Sequence, residues 1–240
     1  MRITIFAAGS RGDIQPCVML GRGLQRAGFD VLLAVPENFA ALVQEYELRF
    51  HPLRGDVQQI MASETGRRFM EDGDANPLKQ VSAMRKMLGP VALQMAEDAF
   101  EACRNADAMI SLAIFATFAK TITEVLSIPL INVEPTPLLP TRAFPAAGWP
   151  LQKNLGGLNN RLSGIIMLQI IWQWYRPFVN SFRRRFGLPP HTSTSFYHIL
   201  KTTPLLGAYS STVIPHPSDW PESVYITGYW LPDADTEWQP

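Results

Sequence analysis

Residues 3–16 read ITIFAAGSRGDIQP and contain the clearest indication of the fold. Residues 3–7 are a short, mostly apolar run rich in β-branched side chains, which is typical of a buried strand. From Asp13 onward, apolar residues recur at spacings of three and four, which predicts a helix. Gly28 stands where a left-handed residue would end that helix. A strand, a turn with two glycines and a helix in this order indicate an α/β protein.

The alternation of strands and helices continues along the chain. Further strands are predicted at 31–35, 49–53, 107–112, 130–133, 204–209 and 224–227. Helices are predicted at 36–43, 81–102 and 115–126, and an aromatic-rich helical segment at 157–186. Gly89-Pro90 is expected to kink or restart the second of these helices, and Pro177 is a candidate break in the last. The pattern predicts an α/β fold built on a doubly wound parallel sheet with right-handed crossovers.

Length and composition fit one large domain and exclude several classes of protein. The chain has 240 residues, 47% of them hydrophobic, which excludes a disordered protein. Lys plus Arg and Asp plus Glu number 21 each, so no overall charge points to nucleic acid. The two cysteines are far apart, which disfavours a disulfide scaffold or a zinc site. No signal peptide or membrane span is evident, so a cytoplasmic protein is expected, with peripheral membrane contact left open.

The charge is balanced overall but not locally. Residues 1–134 carry 13 basic and 16 acidic side chains, residues 135–218 carry 8 basic and none acidic, and residues 219–240 carry 5 acidic and none basic. The middle block includes Arg176 and the run Arg183-Arg184-Arg185. It is interpreted either as a solvated helix face or as a surface for an anionic partner. A nucleotide sugar, an anionic lipid and an acidic domain all fit the second interpretation.

Asp13, in the turn after the first strand, has two interpretations. Aspartate at this place can cap the helix by accepting a backbone N–H. It can also act as a general base at the mouth of a cleft, and one carboxylate can do both. The turn lacks the G-x-G-x-x-G spacing of a dinucleotide site, and no acid ends the second strand, which disfavours a nicotinamide-dependent oxidoreductase. Gly21-x-Gly23-x-x-Ala27 lies inside the predicted helix and is interpreted as close helix packing.

A family resemblance rests on several segments that occur in the right order. Strand–GSRGDIQP–helix followed by GFDVLLAVPENF resembles the N-terminal domain of GT-B glycosyltransferases, in the group of sterol glucosyltransferases and antibiotic-tailoring enzymes. Residues 137–145 resemble the acceptor-side loop of that family. The other matching segments are residues 107–110, 123–129, 184–190, 227–230 and 238–240. The resemblance implies that residues 1–230 are a Rossmann-like acceptor-binding domain, that 231–240 begin an interdomain linker, and that the C-terminal donor domain is absent.

The resemblance also implies an activity. This is inverting, metal-independent transfer of a hexose from a UDP- or dTDP-sugar to a hydroxyl of a lipophilic, sterol-like or natural-product-like acceptor, with no cofactor. Asp13 would be the base. Many relatives place a histidine after the first strand, and this chain has none there, so the assignment follows the aspartate branch of the family. The residues predicted to contact acceptor or donor are Ser10, Arg11, Gly12, Thr141 and Phe144.

Two further expectations concern the pocket and the length of the chain. The segment around Trp172 and Trp174 is expected either to wall an apolar acceptor pocket with the proline-rich loop or to be a buried core helix. His191 and His198 are expected on the surface or in loops. Because GT-B enzymes use a second domain for most nucleotide-sugar contacts, this chain alone is expected to be inactive. The alternatives are a non-catalytic binding module and one subunit of a split glycosyltransferase.

Overall fold

Seven parallel strands form one sheet in the part of the chain that the computed structural model describes. The described residues are 1–55, 57–64, 66–67, 77–150 and 153–232, with backbone only at 57, 58, 61 and 77–81. The strands are β1 Arg2–Phe6, β2 Asp30–Pro36, β3 Arg49–Leu53, β4 Ala108–Leu112, β5 Leu130–Glu134, β6 Leu205–Gly207 and β7 Val224–Ile226. All seven predicted strands are confirmed, and each bound lies within two residues of its predicted place.

The connections wind the sheet in both directions from its middle. The helices are α1 Arg11–Arg26, α2 Ala40–Glu45, α3 Val57–Ala62, α4 Pro77–Cys103, α5 Ala116–Leu126, α6 Gly157–Arg185 and α7 Ser193–Thr202. The strand order is β3-β2-β1-β4-β5-β6-β7, so the chain builds one side first, then crosses to the other at the boundary between β1 and β4. This confirms the doubly wound fold. Ligands of such sheets bind outside the carboxyl ends of the strands at this crossing, where the turn after β1 lies.

The end and the packing of α1 follow the sequence. Gly28 has a φ of +87°, and the amide of Phe29 donates to the carbonyl of Leu24, so the predicted left-handed end of the helix is confirmed. Gly21 lies directly over the sheet, and a Cβ built on it would come within 2.9 Å of Leu33. Close packing of α1 on β2 therefore explains the small residue at position 21.

The helix break suggested at Pro177 is wrong, and of the kink or restart expected at Gly89-Pro90 the restart is wrong. Each proline lies inside one continuous helix, α6 and α4 respectively. Pro177 has no N–H to donate to the carbonyl four residues earlier, that of Gln173. The Arg85 guanidinium donates to that carbonyl instead, with Nη2 at 2.7 Å and Nε at 3.1 Å from the oxygen. A side chain of α4 thus satisfies the backbone group that proline leaves open in α6.

The arginine run at 183–185 is not one surface: Arg184 and Arg185 are exposed, whereas the buried Arg183 fits neither interpretation of the charged block. Arg183 is buried, and its Nη1 lies 2.9 Å from Oε2 of Glu124 and 3.0 Å from Nε2 of His191. Arg185 pairs with Glu97 on α4. Burial and the neighbouring Arg183 lower the pKa of His191 to about 4, so this imidazole is neutral and accepts a hydrogen bond.

Helix α7 and the surroundings of the two histidines were not fully anticipated. His191 and His198 were expected on the surface or in loops and no helix was predicted between 187 and 203, whereas Thr192 caps a helix there, accepting a hydrogen bond from the amide of Ser195 at 3.1 Å. His198 is exposed on that helix, whereas His191 is only half exposed. Among the described residues, none of the helices combines the length and apolar character that a membrane crossing requires.

Candidate functional site

Asp13 is held in place by Ser10, the residue that caps the N-terminus of α1. The amide and the hydroxyl of Ser10 both donate to Oδ2 of Asp13, at 2.8 and 2.9 Å. Oδ1 accepts no hydrogen bond from any residue that the structure describes. One carboxylate oxygen therefore holds the helix start, and the other is available to a ligand.

The two glycines of the turn differ in what they allow. Gly9 has a φ of +139°, and a Cβ built on it would lie 2.5 Å from Oδ2 of Asp13. Gly12 has its nearest such neighbour, the hydroxyl oxygen of Ser10, at 3.6 Å. Gly9 therefore lets the carboxylate fold back against the end of the strand, whereas Gly12 is not required for space.

Asp13 and Gly9 line a cavity of about 180 Å³ whose other walls are largely apolar. Helix α4 contributes one wall, α6 another, and the segment after β4 a third. The residues lining these walls are Ala8, Leu88, Val91, Ala92, Met95, Ile114, Phe115, Trp174 and Tyr175. The cavity thus joins a carboxylate at the crossing point of the sheet to a space suited to an apolar molecule.

The aromatic segment of α6 was expected either to wall a pocket or to be a buried core helix, and neighbouring residues of the segment fit different expectations. Trp172 is buried and stacks on Phe196 of α7 with 5.9 Å between ring centroids, so it belongs to the core. Trp174 and Tyr175 line the cavity instead. The indole N–H of Trp174 has no hydrogen-bond partner among the described residues. The α4 residues of the cavity wall were predicted only as part of the helix at 81–102.

The remaining predicted site residues fall into two groups. Ser10 caps α1, Arg11 and Gly12 lie in its first turn, and all three are exposed beside Asp13; Nε of Arg11 donates to Oε1 of Gln15 at 2.9 Å. Thr141 and Phe144 are not among the residues that line the cavity at Asp13. Their roles in ligand binding stay predictions.

Thr141 and Phe144 fasten the proline-rich loop. The buried hydroxyl of Thr141 donates to Oδ1 of Asp219 at 2.6 Å, and Phe144 packs edge-on against Trp220 with 6.1 Å between centroids. Burial acts to raise the pKa of Asp219, and the hydrogen bond from Thr141 acts to lower it. The pKa of Asp219 is lowered as a result. In this structure both residues fasten the loop to the segment that precedes β7.

Glu134, at the carboxyl end of β5, holds the start of the same loop. Its Oε1 accepts a hydrogen bond from the hydroxyl of Tyr209 at 2.8 Å, and its Oε2 accepts one from the amide of Leu138 at 3.1 Å. Burial raises the pKa of Glu134 to about 7, although both hydrogen bonds act in the opposite direction. Sequence reasoning missed this residue, because an acid at a strand end resembles a loop residue. Across the described residues, no cluster of three or more His, Cys, Asp or Glu is arranged to hold a metal ion.

The sheet order and the cavity beside Asp13 define an α/β domain of the kind that forms half of a GT-B glycosyltransferase. Two solved structures support the fold over the whole chain. The glycosyltransferase of kitacinnamycin matches with a TM-score of 0.65 and 17% identity, and the chain covers 55% of it. The calicheamicin glycosyltransferase matches with a TM-score of 0.59 and 14% identity, and the chain covers 53% of it.

The sequence family is shown directly. The chain belongs to glycosyltransferase family 28, whose N-terminal domain matches residues 3–145. It is 33% identical over 249 residues to O-mycaminosyltylonolide 6-deoxyallosyltransferase of Streptomyces fradiae, covering 100% of this chain and 56% of that protein. It is 29% identical over 241 residues to sterol 3-beta-glucosyltransferase of Aspergillus fumigatus, covering 100% of this chain and 16% of that protein. The chain thus spans little more than half of the first relative and a small part of the second.

Proposed function

We propose that this chain is the acceptor-binding domain of an inverting, metal-independent glycosyltransferase. The enzyme would move a hexose from a UDP- or dTDP-sugar to a hydroxyl of a lipophilic acceptor. The observation that carries the proposal is the carboxylate of Asp13, held through one oxygen and standing at the edge of an apolar cavity. The relatives named above, a deoxyallosyltransferase and a sterol glucosyltransferase, support the reaction class.

The geometry of Asp13 supports a role as general base. The acceptor hydroxyl would lie against Oδ1, and its oxygen would attack the anomeric carbon from the side opposite the nucleotide diphosphate. Oδ1 takes the proton as the new C–O bond forms and the bond to the diphosphate breaks, so one displacement inverts the configuration. Ser10 keeps Oδ2 in place throughout. A positioned general base of this kind contributes roughly 10²–10⁴-fold to the rate.

The apolar walls would select the acceptor. A rigid, largely hydrocarbon molecule fills such a cavity without leaving polar groups unsatisfied, and burial of its surface favours binding. The indole N–H of Trp174 offers a donor to an acceptor oxygen that reaches it. Ser10, Arg11 and Gly12 would border the same hydroxyl from the turn, and the loop that Thr141 and Phe144 fasten would cover it.

The second half of the active site would come from another domain. We infer that residues 1–230 form the acceptor domain and that 231–240 lead toward a donor domain, which binds the nucleotide and stabilises the departing diphosphate. Positions 233–240 lie outside the described residues. The donor domain follows on the same polypeptide or is a separate subunit, and without it the chain is expected to transfer no sugar.

Substitution of Asp13 tests the proposal. In the protein together with its donor domain, Asp13→Asn should lower kcat by roughly 10²–10⁴-fold and leave acceptor affinity largely unchanged, because the shape of the side chain is kept. Turnover would be measured with UDP-glucose and dTDP-glucose against a panel of sterols and polyketide aglycones. Asp30→Asn is the matched control, because Asp30 lies at the amino ends of the strands and Asp13 at the carboxyl ends; this variant should keep full activity. Wild-type turnover by Asp13→Asn would exclude Asp13 as the base and favour a binding module.

A further inference from the structure

The cavity beside Asp13 contains a polar group that the proposed reaction does not use, the hydroxyl of Tyr175. Tyr175 is 7% exposed, and its hydroxyl forms no hydrogen bond with any residue that the structure describes. The hydroxyl oxygen keeps surface that a water molecule can touch, whereas the indole nitrogen of Trp174 is enclosed by protein atoms. Because Tyr175 lines the cavity and is otherwise buried, the open surface of its hydroxyl faces the cavity.

Two aromatic rings hold the side chain of Tyr175 in place. Its ring centroid lies 5.8 Å from that of Phe115, which also lines the cavity, and 6.1 Å from that of Phe118, which it meets edge-on. Burial raises the pKa of the Tyr175 hydroxyl to about 12, so the group keeps its proton at neutral pH. A buried donor without a partner costs free energy, and an oxygen atom of a ligand would remove that cost.

The Tyr175 hydroxyl lies apart from the carboxylate of Asp13. Burial and the negative charge of Asp13 both raise the pKa of Cys17, whereas no charged group that the structure describes adds to the effect of burial on the pKa of Tyr175. One ligand oxygen bonded to both groups would bring them to within about 6 Å of each other, where the charge would act on the hydroxyl. The two groups therefore meet different atoms of a bound molecule.

We propose that Tyr175 is a specificity-determining residue, which donates a hydrogen bond to a second oxygen of the acceptor. The site takes molecules with two oxygens: the hydroxyl that receives the sugar, at Asp13, and a carbonyl, ether or hydroxyl oxygen at Tyr175. A hydrocarbon skeleton leaves no polar group of its own unsatisfied, but it leaves the Tyr175 hydroxyl unpaired, so oxygenated aglycones are favoured over plain sterols. The inference rests on the proposed function, because it concerns the acceptor of that same site.

Two pairs of acceptors, each differing by one ketone, test the inference. Epiandrosterone is compared with 5α-androstan-3β-ol, and 6-hydroxy-1-tetralone with 5,6,7,8-tetrahydro-2-naphthol. Calorimetry on the protein together with its donor domain gives the affinity for each. In at least one pair, the ketone should bind about three- to tenfold more tightly, which is the range of one hydrogen bond. Tyr175→Phe should abolish this difference and leave the affinity for the partner without the ketone unchanged.

Turnover of the same acceptors gives a second readout, which a merely structural role of Tyr175 would not move. Tyr175→Phe should raise KM for the ketone about three- to tenfold with little change in kcat, because the contact is made equally before and during transfer. Tyr225→Phe is the matched control, because Tyr225 is exposed on β7 and does not line the cavity. This variant should bind and turn over both members of each pair as the unmodified protein does.

Urea unfolding without ligand checks that the Tyr175 hydroxyl is not engaged within the protein. Tyr175→Phe should be at least as stable as the unmodified protein, whereas Tyr209→Phe should be less stable, because the Tyr209 hydroxyl donates to Glu134 at 2.8 Å. A loss of stability in Tyr175→Phe, or equal affinity within both acceptor pairs, would overturn the inference, and so would an absence of ketone binding.

The outcomes separate this inference from the proposed function. If both pairs show equal affinity and Asp13→Asn loses turnover, the role of Tyr175 is excluded and the role of Asp13 is supported. If the ketone binds more tightly through Tyr175 but no sugar is transferred, the two-oxygen ligand is supported and the proposed function is contradicted.

Discussion

At position 9, the backbone conformation and the neighbouring carboxylate leave no room for a side chain. A Cβ there would meet Oδ2 of Asp13 at 2.5 Å, and the φ of +139° disfavours any residue but glycine. We expect Gly9→Ala to cost about 1–3 kcal/mol of unfolding free energy. In the active protein it should also lower turnover, because the carboxylate must move.

Gly12→Ala is the matched control for Gly9→Ala, since a Cβ at position 12 meets nothing closer than 3.6 Å. Unfolding in urea, followed by circular dichroism, gives the two free energies. Gly12→Ala should remain close to the unmodified protein, and alanine in the first turn of a helix is well tolerated. Equal stability of the two variants would show that the turn adapts and that Gly9 does not position Asp13.

Some residues could be assigned from the sequence and others could not. Asp13 could be singled out from its place after a strand, because the carboxyl ends of parallel strands are where ligands bind. Trp172 and Trp174 could not be separated, because both belong to one aromatic stretch. Two residues apart on a helix they point about 200° away from each other. Only the positions of α4 and α7 decide that one enters the core and the other the cavity.

Helix α6 continues through Pro177 because α4 provides a hydrogen-bond donor in place of the backbone N–H that proline lacks. The guanidinium of Arg85 lies in hydrogen-bond contact with the carbonyl of Gln173, 88 positions farther along the chain. A local rule correctly states that proline opens a helical hydrogen bond. It carries no information on whether a distant side chain closes it, so the break predicted from sequence was wrong.

A double-mutant cycle measures this contact. Arg85→Met should lower the unfolding free energy by about 1–3 kcal/mol, because the partly buried carbonyl of Gln173 loses a charged donor. Pro177→Ala restores a backbone N–H to that carbonyl, so Arg85→Met should cost distinctly less in its presence. The free energies come from urea unfolding of the four proteins. Equal costs of Arg85→Met in both backgrounds would show that the guanidinium does not serve the carbonyl.

Over the whole molecule, the parts predicted best are those set by local pattern. Buried parallel strands are continuous apolar runs, and their bounds could be read to within two residues. The charged block at 135–218 was harder, because a count of arginines does not show which are paired. Arg183 is buried against Glu124, a residue 59 positions earlier. The fold was therefore predictable, whereas the division of the arginines among core, ion pair and open surface was not.

The stability of the whole molecule should depend on pH through Glu134. Its pKa rises from the ordinary 4.5 to about 7 on folding, mainly because it is buried. Below about pH 4.5 the carboxyl of Glu134 is neutral in both the folded and the unfolded protein, and its full contribution to stability is present. Between the two values the unfolded chain ionises first, so stability falls as pH rises. The loss is complete above about pH 7 and amounts to about 3 kcal/mol.

Urea unfolding of the unmodified protein and of Glu134→Gln between about pH 4 and 8 measures this effect. The variant cannot ionise at position 134, so the free energy of the unmodified protein relative to it should fall as pH rises across this range. Glu124→Gln is the opposing control, because the hydrogen bond from Arg183 lowers the pKa of Glu124. The Glu124–Arg183 pair stabilises the folded protein above the ordinary carboxyl pKa, and this stabilisation is lost as pH falls. The free-energy difference between the unmodified protein and Glu124→Gln should therefore rise with pH. A flat difference for Glu134→Gln would mean that Glu134 is ionised in the folded protein and that the loop it holds is anchored by charge.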